Sequence, residues 1–194
     1  MRALLASRMS LTSIRELCGR CVAADGPALK EELFALTCDA DDRVGFNALW
    51  ALTHFPATER EWFDTKRTTL IDSLLATNHT GRRRLTLTLL NDKLSAPVEI
   101  RTDYLDYCLG AINSTEPYGV RALCLKQAFA LCRRHPELLA ELATTISMME
   151  RGTLSPGLLS ARNQTLRKIS ALTRRPSSRK DCPKGRGSQP SAER

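Results

Sequence analysis

The sequence predicts an all-α protein, a superhelix of helix pairs stacked one on the next. Three observations point there. Prolines recur at one period: Pro56, Pro97, Pro136 and Pro176 stand 41, 39 and 40 residues apart. A second ladder, Arg43, Arg82, Arg121 and Arg162, climbs in steps of 39, 39 and 41. The segment Val98–Pro136 reads as two helices, the second of them apolar on two sides. Val120, Cys124, Ala128 and Leu131 make one stripe, and Leu125, Phe129 and Cys132 make another. A helix with two apolar faces sits between neighbours, so this pair needs copies of itself to bury both. Runs of Val, Ile, Thr and Tyr in period-two alternation are missing, and no sheet is expected.

In chain order, residues 1–10 read as a flexible lead-in. Ile14, Leu17, Cys18, Cys21 and Val22 then share one helical face, closed by Asp25 and Gly26; this helix caps the open end of the stack. Four pairs follow, at 27–55, 57–94, 97–134 and 136–172. The first joins Leu29, Leu33 and Phe34 to a helix bearing Val44, Phe46, Leu49, Trp50 and Leu52. Between them the acids Asp39, Asp41 and Asp42 favour a helix N-terminus through capping and the macrodipole. The second pair has a single first helix through Trp62, Phe63, Leu70, Ile71 and Leu74, then Leu85, Leu87, Leu89 and Leu90. In the third, Tyr104, Leu105, Cys108 and Ile112 precede the two-faced helix, and Pro117 opens that helix where a missing N–H costs nothing. The fourth runs from Leu138, Leu139, Leu142 and Ile146 to Leu158, Leu166 and Ile169. The repeat domain is thus expected over 11–173. Residues 174–194, rich in Arg, Lys, Ser, Pro and Gly, cannot offset the entropy of ordering and read as a disordered basic tail.

The formal charge of +8 sits mostly in that tail, which holds seven Lys/Arg against two Asp/Glu; the remaining 173 residues carry 22 against 19. No apolar run is long enough to span a membrane. Arg8 interrupts the N-terminal apolar residues, which argues against a secretory h-region. Seven scattered cysteines suit a reducing cytoplasm. Residues 1–15 hold Arg2, Arg8 and Arg15 with no acid, which also resembles a mitochondrial presequence.

Asn113 to Leu131, with Val120, Arg121, Ala128 and Leu131, resembles a HEAT repeat. Asp39, Asp41, Asp42, Arg43 and Val44, followed by Ala48, Ala51 and Leu52, resemble it again with Arg and Val in swapped order. The unit at 78–94 departs from the pattern at Arg83 and Arg84, and the last unit lacks the acid and displaces its arginine to Arg162. The resemblance covers 27–172. It implies an α–α superhelix of about four HEAT-like pairs plus a capping helix and, in function, a non-enzymatic scaffold that binds another macromolecule, here a protein. The alternative it implies is nucleic-acid binding, in the extreme an alkylated-base DNA glycosylase built on HEAT-like repeats, for which Trp62 and Asp64 could be offered as the Trp/Asp pair.

No catalytic residue, metal ligand or cofactor is expected. Cys18 and Cys21 form a CxxC whose members share the apolar face of one helix, so buried thiols account for them better than zinc or redox chemistry. His54 and His135 precede prolines and read as helix C-terminal residues, where the imidazolium is favoured. The informative cluster is Arg82, Arg83 and Arg84, in the first turn of a helix where cations oppose the macrodipole by roughly 0.3–1 kcal/mol each. Two explanations stand side by side: a bound anion, or pairing with Asp39, Asp41, Asp42 and Glu116 in neighbouring turns. The expected binding surface is the turn edge centred on Arg82 to Arg84 and flanked by Arg43 and Arg121. The flanks are expected to be neutralised by those acids and the centre to be free.

Overall fold

The computed structural model describes residues 1–97, 99–150, 152 and 154–173; the expected tail lies outside them. Among the described residues there are eleven α-helices and no strand. Two short helices lead in, α1 (Arg2–Ala6) and α2 (Leu11–Val22). The pairs follow: α3 (Pro27–Ala35) with α4 (Asp42–Thr53), α5 and α6 (Arg60–Thr65, Arg67–Ala76) with α7 (Thr80–Asp92), α8 (Thr102–Ile112) with α9 (Tyr118–Cys132), and α10 (Pro136–Ser147) with α11 (Pro156–Thr173). Pro27, Pro136 and Pro156 each open a helix at its first position, as the fixed φ of proline allows.

The second helices α4, α7, α9 and α11 pack each against the next in one layer, and the first helices lie behind them. Successive second helices pack against one another more extensively than successive first helices do, so they form the tighter, inner layer of the stack. The two-faced helix explains why. Val120, Cys124, Leu125 and Ala128 of α9 are fully buried, touching α7 on one side, α11 on the other and α8 behind. Leu52, Leu87, Leu89 and Leu142 are likewise fully buried, each such side chain contributing about 1.5–3 kcal/mol. Ala48, Ala51 and Ala128, small and inaccessible, let neighbouring backbones approach.

Three expectations change. Residues 1–10 are not a loose lead-in: α1 docks on α4, with Leu5 inaccessible and the Asn47 side-chain amide donating to Leu5 O (2.8 Å) and Ser7 O (3.3 Å). Five helical residues cannot persist alone; satisfied C-terminal carbonyls and a buried leucine hold them. The first helix of the second pair is broken at Lys66, whose backbone turns to φ −96°, ψ −1° and whose N–H reaches Phe63 O. The Thr65 hydroxyl, donating to Trp62 O, offers the backbone the competing partner that ends α5. His135 stands at the N-cap of α10 rather than in a C-terminal turn. His54 does end α4, but burial, with Arg15 and Lys93 nearby, holds its pKa below the ordinary imidazole value, so the neutral ring is favoured.

Candidate functional site

The turn edge is assembled as the ladder implies, yet its charges are distributed differently. Arg82 is buried: Nη2 donates to Thr37 O (2.7 Å), and Nη1 to the Asp42 carboxylate (2.9 Å) and Asp39 O (3.3 Å). Arg83, half-buried, donates through Nε to Thr77 O (2.9 Å), through Nη2 to Asn78 (3.2 Å) and through Nη1 to the Glu116 carboxylate. Arg121 Nε donates to Ile112 O (2.9 Å), and Arg162 Nε to Ile146 O (3.2 Å). All four guanidiniums therefore sit against carbonyls at or just beyond the ends of first helices. A cation that opposes the dipole of its own helix is here placed at the negative end of a neighbour's, which offsets the cost.

Of the centre expected to be free, Arg82 and Arg83 are instead paired, with Asp42 and Glu116 of neighbouring turns as the second explanation has it. Arg84, one residue on, points outward with no partner among the described residues, its Cδ next to Gly119 of α9. Arg43 is also exposed and unpaired there, because Asp41 caps the α4 backbone at Arg43 N (2.9 Å) and Asp42 has gone to Arg82. Asp39, the remaining acid of that turn, accepts from Nε and Nη2 of Arg2 (2.7 and 3.0 Å), which holds its carboxyl below the usual range. Arg121 keeps one edge over the Tyr118 ring, 6.0 Å away.

Charge also separates by layer. The second helices α4, α7, α9 and α11 hold nine Lys/Arg and two Asp/Glu; the first helices α3, α5, α6, α8 and α10 hold three and nine. Neither α9 nor α11 contains an acid.

The other candidate groups are engaged in packing. Trp62 lies among Phe34, Phe55 and Phe63, donates to Glu31 (2.7 Å) and is faced by Lys30 and Lys66. Asp64 accepts from Arg67 (2.7 Å) and from Ser95 N (3.0 Å), closing the loop after α7. The Trp/Asp pair thus anchors the second repeat. Cys18 and Cys21 are buried; Cys18 donates to Ala51 O (3.1 Å), and burial pushes its thiol up to about 12. Cys124 and Cys132 are buried too. His79 caps α7, its Nδ1 accepting from Arg82 N (3.2 Å). Among the described residues no three His, Cys, Asp or Glu side chains converge as metal ligands, and no helix is long and apolar enough to cross a membrane.

Paired helices, a tighter inner layer and arginines seated on the carbonyls that end first helices define a helical-repeat protein of the α–α superhelix class. The model of the HEAT repeat domain family matches residues 1–169, and the chain belongs to that family. No curated protein and no solved structure gives a match.

Proposed function

We propose that the chain is a non-enzymatic scaffold that binds a protein partner along its second-helix side and the adjoining turn edge. Arg84, Arg43 and Arg121 supply contacts, while Arg82 and Arg83 fix the edge in shape. The observation that carries this reading is the layered charge: the inner layer is rich in bases, and those not consumed by carbonyls or carboxylates are exposed. A rigid, elongated surface with unpaired cations favours association with a complementary surface. The buried thiols suit a reducing compartment, the cytoplasm. The test places a photoreactive residue at Ala122 on the inner layer or at Asp106 on the outer one, in cells of origin. A discrete protein adduct from Ala122 that disappears when Arg43 and Arg84 are both changed to Glu is expected. Protein adducts from neither position would overturn the scaffold reading; adducts from Asp106 alone would move the partner to the other face.

A further inference from the structure

Arg43 and Arg84 are the start of a longer line. Lys126 of α9 and Lys168 of α11 are also exposed and carry no carboxylate partner among the described residues. Their positions along the helices drift. A Cβ on Gly81 would touch the Phe46 ring, so Arg43, three residues before Phe46, sits about two turns short of Arg84. Arg84 lies against Gly119, seven residues before Lys126, again two turns. Lys168 lies over Phe129, its Nζ 5.7 Å from the ring, about one turn past Lys126. With ~1.5 Å of rise per residue and ~9 Å between helix axes, successive cations stand about 10–14 Å apart on a diagonal across the inner layer. Arg8, exposed beside Arg43 in a cleft of about 340 Å³ with Met9, Phe46 and Asn47, extends the line beyond α4.

We infer that this diagonal is a binding track for an extended, acidic segment of the partner protein, with carboxylates at every third or fourth residue. The inference rests on the protein-binding reading and specifies its chemistry. Extended chain advances ~3.3 Å per residue, so three to four residues span one step of the track. Of the two second-helix acids, Asp42 is paired with Arg82, and Asp92 is the last residue of α7, eight residues past Arg84. The geometry suits carboxylates better than a nucleic acid. Duplex DNA presents a charge every ~1.7 Å, against one free cation per 10–14 Å here. Single-strand binding relies on open aromatic platforms, whereas Tyr118 and Phe129 each already face a cation of the same surface, Arg121 and Lys168.

The probe is a fluorescein-labelled peptide with paired glutamates at every fourth position in a Gly/Ser background. Its anisotropy is followed with the full chain at about 50 mM salt, where screening is weak. A same-length oligothymidylate is run beside it. Saturable binding of the peptide, weakened about tenfold or more by Arg84→Glu with Lys126→Glu, is expected. Arg60→Glu on the exposed outer layer should leave it unchanged. Both changed side chains of the double variant are exposed and unpaired, and circular dichroism verifies its fold; the single variants Arg43→Glu and Lys168→Glu, each weakening binding by a smaller factor, give an independent reading. No peptide binding, or binding indifferent to all four reversals, overturns the inference. Tighter binding of oligothymidylate overturns it in favour of phosphate. If Ala122 adducts form while the peptide fails to bind, the scaffold reading survives and only the acidic track falls.

Discussion

Arg83 and Arg84 are adjacent in sequence and opposite in consequence, and substituting each by Ala separates structure from surface. Arg83→Ala removes the donor to Thr77 O and the partner of Glu116, whose side chain is 17% exposed. Arg83 is the side-chain partner of Glu116 Oε1, and Oε2 has no hydrogen bond, so the carboxylate is left nearly buried and unpaired. Breaking a buried pair from one side costs about 3–5 kcal/mol, and the residual exposure of both groups discounts this to about 2–3 kcal/mol. For a chain of this size each kcal/mol lowers Tm by about 2–4 °C, so a fall of about 4–12 °C is expected. Arg84→Ala removes an exposed, unpaired side chain and should stay within about 0.5 kcal/mol of the parent. Thermal melts followed by helical circular dichroism give both values. Changing Glu116 to Gln in the Arg83→Ala background should recover part of the loss, since the buried charge is gone. Equal melting temperatures for the two single variants would refute the assignment of Arg83 to the stack and Arg84 to the surface.

Changing Asn47 to Ala should free α1 from α4: trypsin should cut after Arg8 markedly faster while the global Tm falls by only a few degrees, and unchanged cleavage would mean Leu5 alone holds the helix. At pH 8 an alkylating reagent should label Cys38 quickly and leave Cys18, Cys21, Cys108, Cys124 and Cys132 untouched until the chain is denatured, as mass spectrometry of the digest would report. Because burial raises the Cys18 thiol to about 12 from a value of 9.0, its stabilising contribution is complete below pH 9 and is lost as pH rises toward 12. The urea midpoint should therefore drop across that window more in the parent than in Cys18→Ala. For His54 the sign is opposite: the neutral ring is favoured in the fold, so stability is full above its ordinary value of 6.5 and declines as pH falls below it. Proton NMR should place the His54 titration below 6.5, and Arg15→Gln should move it up.

The architecture was legible because burial imposes periods on a chain. Prolines at a helix start (Pro27, Pro136 and Pro156) or one residue before it (Pro117, the N-cap of α9 rather than its first residue), with the double stripe of α9, announce where helices start and which ones lie inside. The break at Lys66 was hidden, since the apolar spacing from Phe63 to Leu70 suits one continuous helix and only the Thr65 hydroxyl bond competes with it. The docking of α1 depends on Asn47, a polar residue on an apolar face that could have signalled a buried partner. The arginine ladder was visible, but its register was not. Arg83, not Arg82, matches Arg121 and Arg162 in reaching the end of its own pair's first helix, while Arg82 reaches back to the preceding pair. Adjacent arginines cannot be told apart by spacing. The basic inner layer does not show in the charge of body and tail; it emerges only helix by helix, where Lys126 and Lys168 stand on helices without an acid.

The back-to-back bonding of Arg82 and Arg83 bears on how the chain can come apart. In an array held by nearest-neighbour contacts, units can in principle unfold one at a time and can be deleted or duplicated like beads. Here two consecutive residues of α7 reach in opposite directions, Arg82 to the turn at Thr37 and Asp42, Arg83 to Glu116 before α9. The second repeat therefore acts as a keystone between the first and third. Melting it severs both joints at once, so the stack should open as a single cooperative block rather than fray inward repeat by repeat. Excising one period, 57–96, would remove both arginines together and leave Asp42 and Glu116 without their present partners. The shortest viable version of this protein is then not the one with fewest repeats, but the one that retains α7 with a neighbour on each side.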